Sequence, residues 1–257
     1  MTNTSPARLD LENVSAGYER RIVLSEISFQ VPHGGQVAVV GPNGAGKSTL
    51  FKILVGLLPL RSGRILIHGE PLGQHKDCVA YVPQKGEVDW RFPVTVTDVV
   101  MMGRFGKQGW LRGSNKDDVQ AVQSAMQQMD ISELAHKPIG DLSGGQQQRV
   151  FLARAVAQEP HILLMDEPFT GVDAATQEKT LQLLDDLMDQ SVTVLVSTHD
   201  LDMAAQRFDQ VLLLNKNLVA YGPAQEVLTA EKVRKAFGQR VHFLGGEAII
   251  DDCCPPE

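Results

Sequence analysis

Nine consecutive residues, Gly41-Pro42-Asn43-Gly44-Ala45-Gly46-Lys47-Ser48-Thr49, limit the folds open to this chain more than any other segment. Three glycines and a proline in so short a span exclude a regular helix or strand. The loop is entered from Gln36-Val37-Ala38-Val39-Val40, an apolar run that reads as a short buried strand, and is left through residues 49–58, which read as a helix. A buried strand feeding a glycine loop and then a helix is half of a βαβ unit, so a parallel sheet flanked by helices is the expected core.

The rest of the chain fits around that unit. Residues 9–31 alternate apolar and polar about a turn at 17–21, the pattern of paired antiparallel strands. Residues 64–68 and 78–82 read as further strands, the second ending at Pro83-Gln84. From about 93 to 159 the texture is helical: Thr97 can cap 98–102, and Val119, Val122, Met126 and Met129 form an apolar stripe best explained by packing. Between these helices, 103–114 is glycine-rich and reads as an exposed loop carrying Phe105, Trp110 and Leu111, placed to meet a partner or to clamp locally. Beyond a helix at 144–158, strands at 162–165 and 192–197 are separated by a helix at 174–188, the spacing of a βαβ unit. Asn215-Lys216-Asn217 reads as a hairpin turn between strands at 211–214 and 218–221, and a helix at 226–237 closes the domain. The expectation is an α/β domain over 9–240 with a parallel-sheet core, an antiparallel β flank, a helical subdomain inserted at about 93–159, and a C-terminal tail at 241–257.

Composition narrows the class. A chain of 257 residues can bury one large core or two small ones. No run approaches the roughly 20 apolar residues needed to span a bilayer. The start, Met1-Thr2-Asn3-Thr4-Ser5-Pro6, lacks a secretory pattern, so a cytosolic setting is expected. Three cysteines build no disulfide framework; Cys78 reads as a core residue, and Cys253 with Cys254 supplies only half of a metal site, so the tail is read as dangling and functionally neutral. A net charge of −7 argues against a nucleic-acid surface.

Three segments carry chemistry. Gly41 to Ser48 satisfies G-x-x-x-x-G-K-[ST] between a strand and a helix: its backbone N–H groups can wrap phosphates, Lys47 adds charge on the β and γ phosphates, and Ser48 can ligate Mg²⁺. Asp166 follows the apolar Ile162-Leu163-Leu164-Met165 and emerges at a strand's carboxyl end, where a carboxylate suits Mg²⁺, and Glu167 is then placed to orient or deprotonate an attacking water. Leu142-Ser143-Gly144-Gly145-Gln146 reads as a capped helix start whose glycines let a second phosphate approach the backbone. Gln84, ending its strand, is placed to reach Mg²⁺ or the water, and His199, ending another, to sense the γ-phosphate.

Taken together, these motifs resemble the ATP-binding subunit of an ABC transporter, a P-loop NTPase, over about residues 9–240. The resemblance assigns Gly41, Pro42, Asn43, Gly44, Ala45, Gly46, Lys47, Ser48 and Thr49 to the Walker A loop, Gln84 to the Q-loop, and Leu142, Ser143, Gly144, Gly145 and Gln146 to the signature. It assigns residues 162–167 to the extended Walker B, His199 to the switch histidine, Tyr18 to the aromatic that stacks on adenine, and Asp173 to the D-loop aspartate. The D-loop reads Thr170-Gly171-Val172-Asp173 where Ser-Ala-Leu-Asp is commoner. The family implies ATP and Mg²⁺ as cofactors, Glu167, His199 and Lys47 as catalytic residues, and Ser48, Gln84 and Asp166 as metal-binding residues. It also implies a head-to-tail homodimer in which the signature of one subunit closes over ATP held by the other. The dimer would sit peripherally on the cytoplasmic face of the inner (plasma) membrane against integral-membrane permease subunits, with no nucleic acid involved.

The run from Tyr81 to Val96, with Met102-Gly103-Arg104 and Gly109-Trp110, is similar to the group that energises bacterial uptake of manganese, zinc or iron, where a separate substrate-binding protein delivers the metal to the permease. Siderophore or haem uptake and export use the same engine. A soluble ABC protein acting on ribosomes or DNA usually carries two cassettes or coiled-coil insertions, and this chain has one cassette.

Overall fold

The computed structural model describes residues 9–74, 76–84, 92–108, 114–238, 241–244 and 247–250. The chain divides into two units, Met1–Leu72 with Leu195–Glu257 and Gly73–Val194. In chain order, the first arm of unit 1 contains β1 (Leu9–Tyr18), β2 (Arg21–Val31), β3 (Gln36–Val40), α1 (Lys47–Leu54), β4 (Leu60–Ile67) and β5 (Glu70–Pro71). Unit 2 contains β6 (Val79–Val82), α2 (Val96–Met101), α3 (Phe105–Gln108), α4 (Lys116–Gln128), α5 (Gly144–Ala157), β7 (Ile162–Asp166) and α6 (Ala174–Asp189). The chain passes back to unit 1 within β8 (Thr193–Thr198). The second arm of unit 1 carries α7 (Leu201–Arg207), β9 (Gln210–Asn215), β10 (Asn217–Pro223), α8 (Ala224–Val227), α9 (Ala230–Phe237), β11 (Val241–Leu244) and β12 (Glu247–Ile250).

Two kinds of strand make up unit 1. The antiparallel sheet, in the order β2-β1-β4-β5, starts with a hairpin in which Tyr18 pairs with Arg21 across a two-residue turn and Glu19 takes φ 43°. Its inward residues Leu11, Val14, Leu24 and Ile27 are buried and alternate with more exposed neighbours along much of each strand. By contrast β3 is buried from Val37 to Val40 without alternation, because it lies parallel to β9, Val37 opposite Gln210 through Val40 opposite Leu213. Strand β9 turns back into β10 with Lys216 at φ 60°, so residues 215–217 form the expected hairpin turn.

Several boundaries in unit 1 differ from the sequence reading, each for a local reason. Helix α1 starts at Lys47 rather than 49 and stops at Leu54 rather than 58. Its end is a Schellman turn: Gly56 at φ 73° donates to Ile53 O, and Leu57 N donates to Lys52 O at 2.8 Å. The closing helix at 226–237 is two helices, because the Thr229 side chain caps α9 through Lys232 N and interrupts the run. At the start of the C-terminal tail, β11 and β12 pair antiparallel, Val241 opposite Ile250. Cys253 and Cys254 lie outside the described residues.

In unit 2, β6 and β7 run parallel from Val79 opposite Ile162 to Val82 opposite Met165, and Thr193 N at the start of β8 donates to His161 O just before β7. The cap of α2 is Thr95, not Thr97. Only residue 95 has an acid three positions on: Thr95 Oγ1 accepts from Asp98 N while Asp98 Oδ2 accepts from Thr95 N at 2.9 Å. The Thr97 hydroxyl instead donates to Ala135 O. Val122, Met126 and Met129 of the predicted stripe are buried, whereas Val119, in the first turn of α4, is 40% exposed.

The first residues of the expected loop at 103–114 form regular structure instead. Residues 102–104 form a 3₁₀ turn that leads into α3, and buried Arg104 reaches Asp118 at 3.0 Å, Glu159 at 2.7 Å and Ala157 O at 2.8 Å. Phe105 is exposed as expected; Trp110 and Leu111 lie outside the described residues. Phe92 is 60% exposed, and Trp90 lies outside the described residues. Among the described residues no helix is long and apolar enough to cross a membrane.

The α2 cap gives a pH-dependent prediction. The Thr95 hydroxyl and backbone N–H hold the Asp98 carboxyl below the usual carboxylate range. Because the folded value is depressed, the stabilisation is complete above the ordinary carboxylate pKa and is lost as pH falls through the lowered one. Asp98→Asn removes a negative charge from the first turn of α2, a loss of about 0.3–1 kcal/mol at an exposed site at neutral pH, and the gap should close in acid. Thermal unfolding of both proteins across that range checks it; a gap that persists in acid contradicts it.

Candidate functional site

Unit 1 holds the glycine loop in a fixed shape. Ala45 N donates to Pro42 O at 3.0 Å, and Lys216 N, in the β9–β10 turn, donates to Ala45 O at 2.8 Å, so the hairpin props the loop from behind. Gly46 takes φ 104°, a conformation that favours glycine, and a Cβ there would lie 2.5 Å from Leu24 Cδ2, so that side chain would have to shift. Lys47 is 6% exposed and its Nζ donates to Gly41 O at 2.9 Å and Pro42 O at 3.4 Å, folding the ammonium back over the loop. Asn43 and Gly44 face outward, Ser48 is half-buried and Thr49 is buried. The loop thus presents backbone donors and a fixed cation at the start of α1, an arrangement that binds phosphate.

Two other predicted residues lie in unit 1. Tyr18 ends β1, 45% exposed beside the hairpin turn. His199 directly follows β8 and is exposed; after it, Asp200 N donates to Thr198 Oγ1, and the Asp200 carboxylate caps α7 through Met203 N at 2.8 Å.

In unit 2 the carboxylates stand where β7 ends. Asp166, its last residue, is 1% exposed, and the Tyr81 hydroxyl of neighbouring β6 lies 3.5 Å from its Oδ2. Glu167 turns out of the strand at φ 48°, an unusual conformation for a residue with a side chain. Its Oε2 accepts from Gln84 Nε2 at 3.3 Å and faces the Thr170 hydroxyl at 3.5 Å. The structure therefore brings Gln84 to Glu167, two residues separated by 83 positions.

The 142–146 turn has the expected form. Leu142 is buried, the Ser143 hydroxyl accepts from Gln146 N at 3.3 Å, and Gln146 Oε1 accepts from Ser143 N at 2.9 Å, a complete capping box. Gly144 and Gly145 occupy the first turn of α5 and add no side chains of their own there. Asp173 caps α6 through Thr176 N at 2.9 Å, and that N–H, followed by lesser contributions that include the Thr176 hydroxyl, holds the Asp173 carboxyl below its ordinary range. Tyr81 and Thr170 were missed from sequence. Thr170 left a local signal, three residues beyond Glu167, whereas Tyr81 left none, since its contact depends on the β6–β7 pairing.

Residues 24–170 match the ABC transporter family. This chain belongs to that family. It is an ABC-type ATPase, and its α/β architecture is the P-loop fold expected from the sequence. The manganese transport system ATP-binding protein MntB of Bacillus subtilis is 45% identical over 95% of this chain and 97% of its own length. The zinc transport system ATP-binding protein TroB of Treponema pallidum is 43% identical over 91% and 88%. Among solved structures, an ATP-binding subunit of an ABC transporter superposes with a TM-score of 0.74 at 26% identity, over 90% of this chain and 94% of that one.

Proposed function

We propose that this chain is the ATP-hydrolysing subunit of an importer for divalent metal ions, manganese, zinc or iron. The observation that carries the hydrolytic part is Glu167 at the end of β7, next to buried Asp166 and in hydrogen-bond contact with Gln84. The cargo follows the names of the relatives: manganese for MntB and zinc for TroB.

Each residue has a role in that reading. The backbone of 41–49 and the Lys47 ammonium bind the β and γ phosphates, and Tyr18 stacks on the adenine. Ser48, Asp166 and Gln84 offer a hydroxyl, a carboxylate and an amide carbonyl, the hard oxygen donors that suit Mg²⁺. When bound, Mg²⁺ neutralises phosphate charge that would otherwise oppose attack. Glu167 accepts the proton of the attacking water, Gln84 orients that carboxylate, and His199 contacts the γ-phosphate. Leu142, Ser143, Gly144, Gly145 and Gln146 close over ATP held by a second copy, with Asp173 beside them, so two copies form the working homodimer.

The dimer works on the cytoplasmic face of the plasma membrane against permease subunits, and a substrate-binding protein delivers the metal outside. Tagged chain extracted from membranes in detergent should copurify with a multi-helix permease and hydrolyse ATP when Mg²⁺ is present. Association with ribosomes and with no membrane protein contradicts the proposal.

A further inference from the structure

Two helices of unit 2, α5 and α6, begin side by side, and each is capped by a residue assigned to the site, Ser143 and Asp173. A Cβ on Gly145 would overlap Asp173 Oδ2 and lie 2.6 Å from Thr176 Oγ1, so the first turn of α5 approaches the α6 cap as closely as a bare backbone allows. Asp173 is exposed, yet one residue engages both of its oxygens: Thr176 N donates to Oδ1 at 2.9 Å and Thr176 Oγ1 donates to Oδ2 at 3.1 Å.

The two bonds differ in what they require. Any residue at position 176 supplies the backbone N–H, and that bond alone completes an N-cap. The second bond needs a hydroxyl and fixes the torsion of the carboxylate, setting which oxygen faces Gly145. Thr176 itself is firmly seated, since it is 1% exposed and its backbone carbonyl accepts from Thr180 Oγ1 at 2.8 Å. Charge gives the arrangement a purpose. A free carboxylate beside the first-turn N–H groups of α5 would compete with a phosphate for the positive end of that helix. Binding both oxygens to Thr176 keeps the carboxylate off those donors.

We propose that Thr176 is a positioning residue for ATP hydrolysis: its hydroxyl holds Asp173 Oδ2 at the α6 cap, off the first-turn donors of α5, and so keeps the 143–146 turn open to the nucleotide of the partner copy. This rests on the proposed function, in which that turn closes over ATP held by a second copy.

Thr176→Val preserves shape and the backbone bond while removing the hydroxyl, and Thr176→Ala removes it with less risk of helix strain. Both should lower kcat by roughly ten- to a hundredfold, with the Kd for ATP within about twofold of the parental value, because the 41–49 loop is untouched. Thr176→Ser should restore turnover. In the same variants, NMR titration should show the Asp173 carboxyl moving up toward its ordinary value, a change that a loss of packing alone would not produce.

Parental turnover in Thr176→Val and Thr176→Ala overturns the inference, as does an equal loss in Thr176→Ser. A parental chain that hydrolyses no ATP with Mg²⁺ counts against the proposed function instead, so the two failures are distinguishable.

Discussion

Glu167→Gln is expected to bind ATP with parental affinity and to lose roughly 10²- to 10⁴-fold in turnover. The substitution keeps the size and the hydrogen-bonding reach of the side chain but removes its ability to take a proton. Binding should survive because the groups proposed to hold phosphate, the 41–49 loop and Lys47, belong to a different segment, which packs against the β9–β10 turn and Leu24. The positive φ of Glu167 is a backbone property that glutamine tolerates no worse than glutamate. Equilibrium binding and single-turnover hydrolysis, measured on the same preparation, separate the two effects. Turnover near the parental rate would remove Glu167 from the role of base.

Lys47→Ala is expected to act earlier, at binding. The ammonium is nearly buried and is presented over the loop by the carbonyls of Gly41 and Pro42, so its position is prepared before nucleotide arrives. Removing a pre-placed, desolvated cation from a polyphosphate costs about 3 kcal/mol, roughly a hundredfold in Kd. The loss should be larger for ATP than for AMP, because only ATP carries the β and γ phosphates to which the proposal assigns Lys47. Isothermal titration with the two nucleotides checks this, and an equal loss for both contradicts the assignment.

Much of this arrangement was legible in the chain because it is local. The strand at 36–40, the glycine loop and the helix after it are contiguous, and the loop's conformation is written in its own glycines. The Ser143–Gln146 capping box and the Asn215–Asn217 turn are similarly short-range, and each took the expected form.

The readings that changed depended on competition between neighbours. Thr95 and Thr97 are both plausible caps until the acid at 98 is counted from each. Residues 55–58 continue the helical pattern of 49–54, but Gly56 offers a left-handed exit that ends α1 first. Long-range contacts were invisible for a different reason: the approach of Gly145 to Asp173 and of Gln84 to Glu167 follows from how helices and strands pack, which no spacing in the sequence records.

Uptake of radioactive manganese, zinc and iron, each measured separately in cells that lack this chain, tests the central claim most directly. The account predicts that at least one of the three fails to enter the deletion strain, that the parental chain restores its entry, and that Glu167→Gln does not. Parental uptake of all three metals in the deletion strain would contradict it.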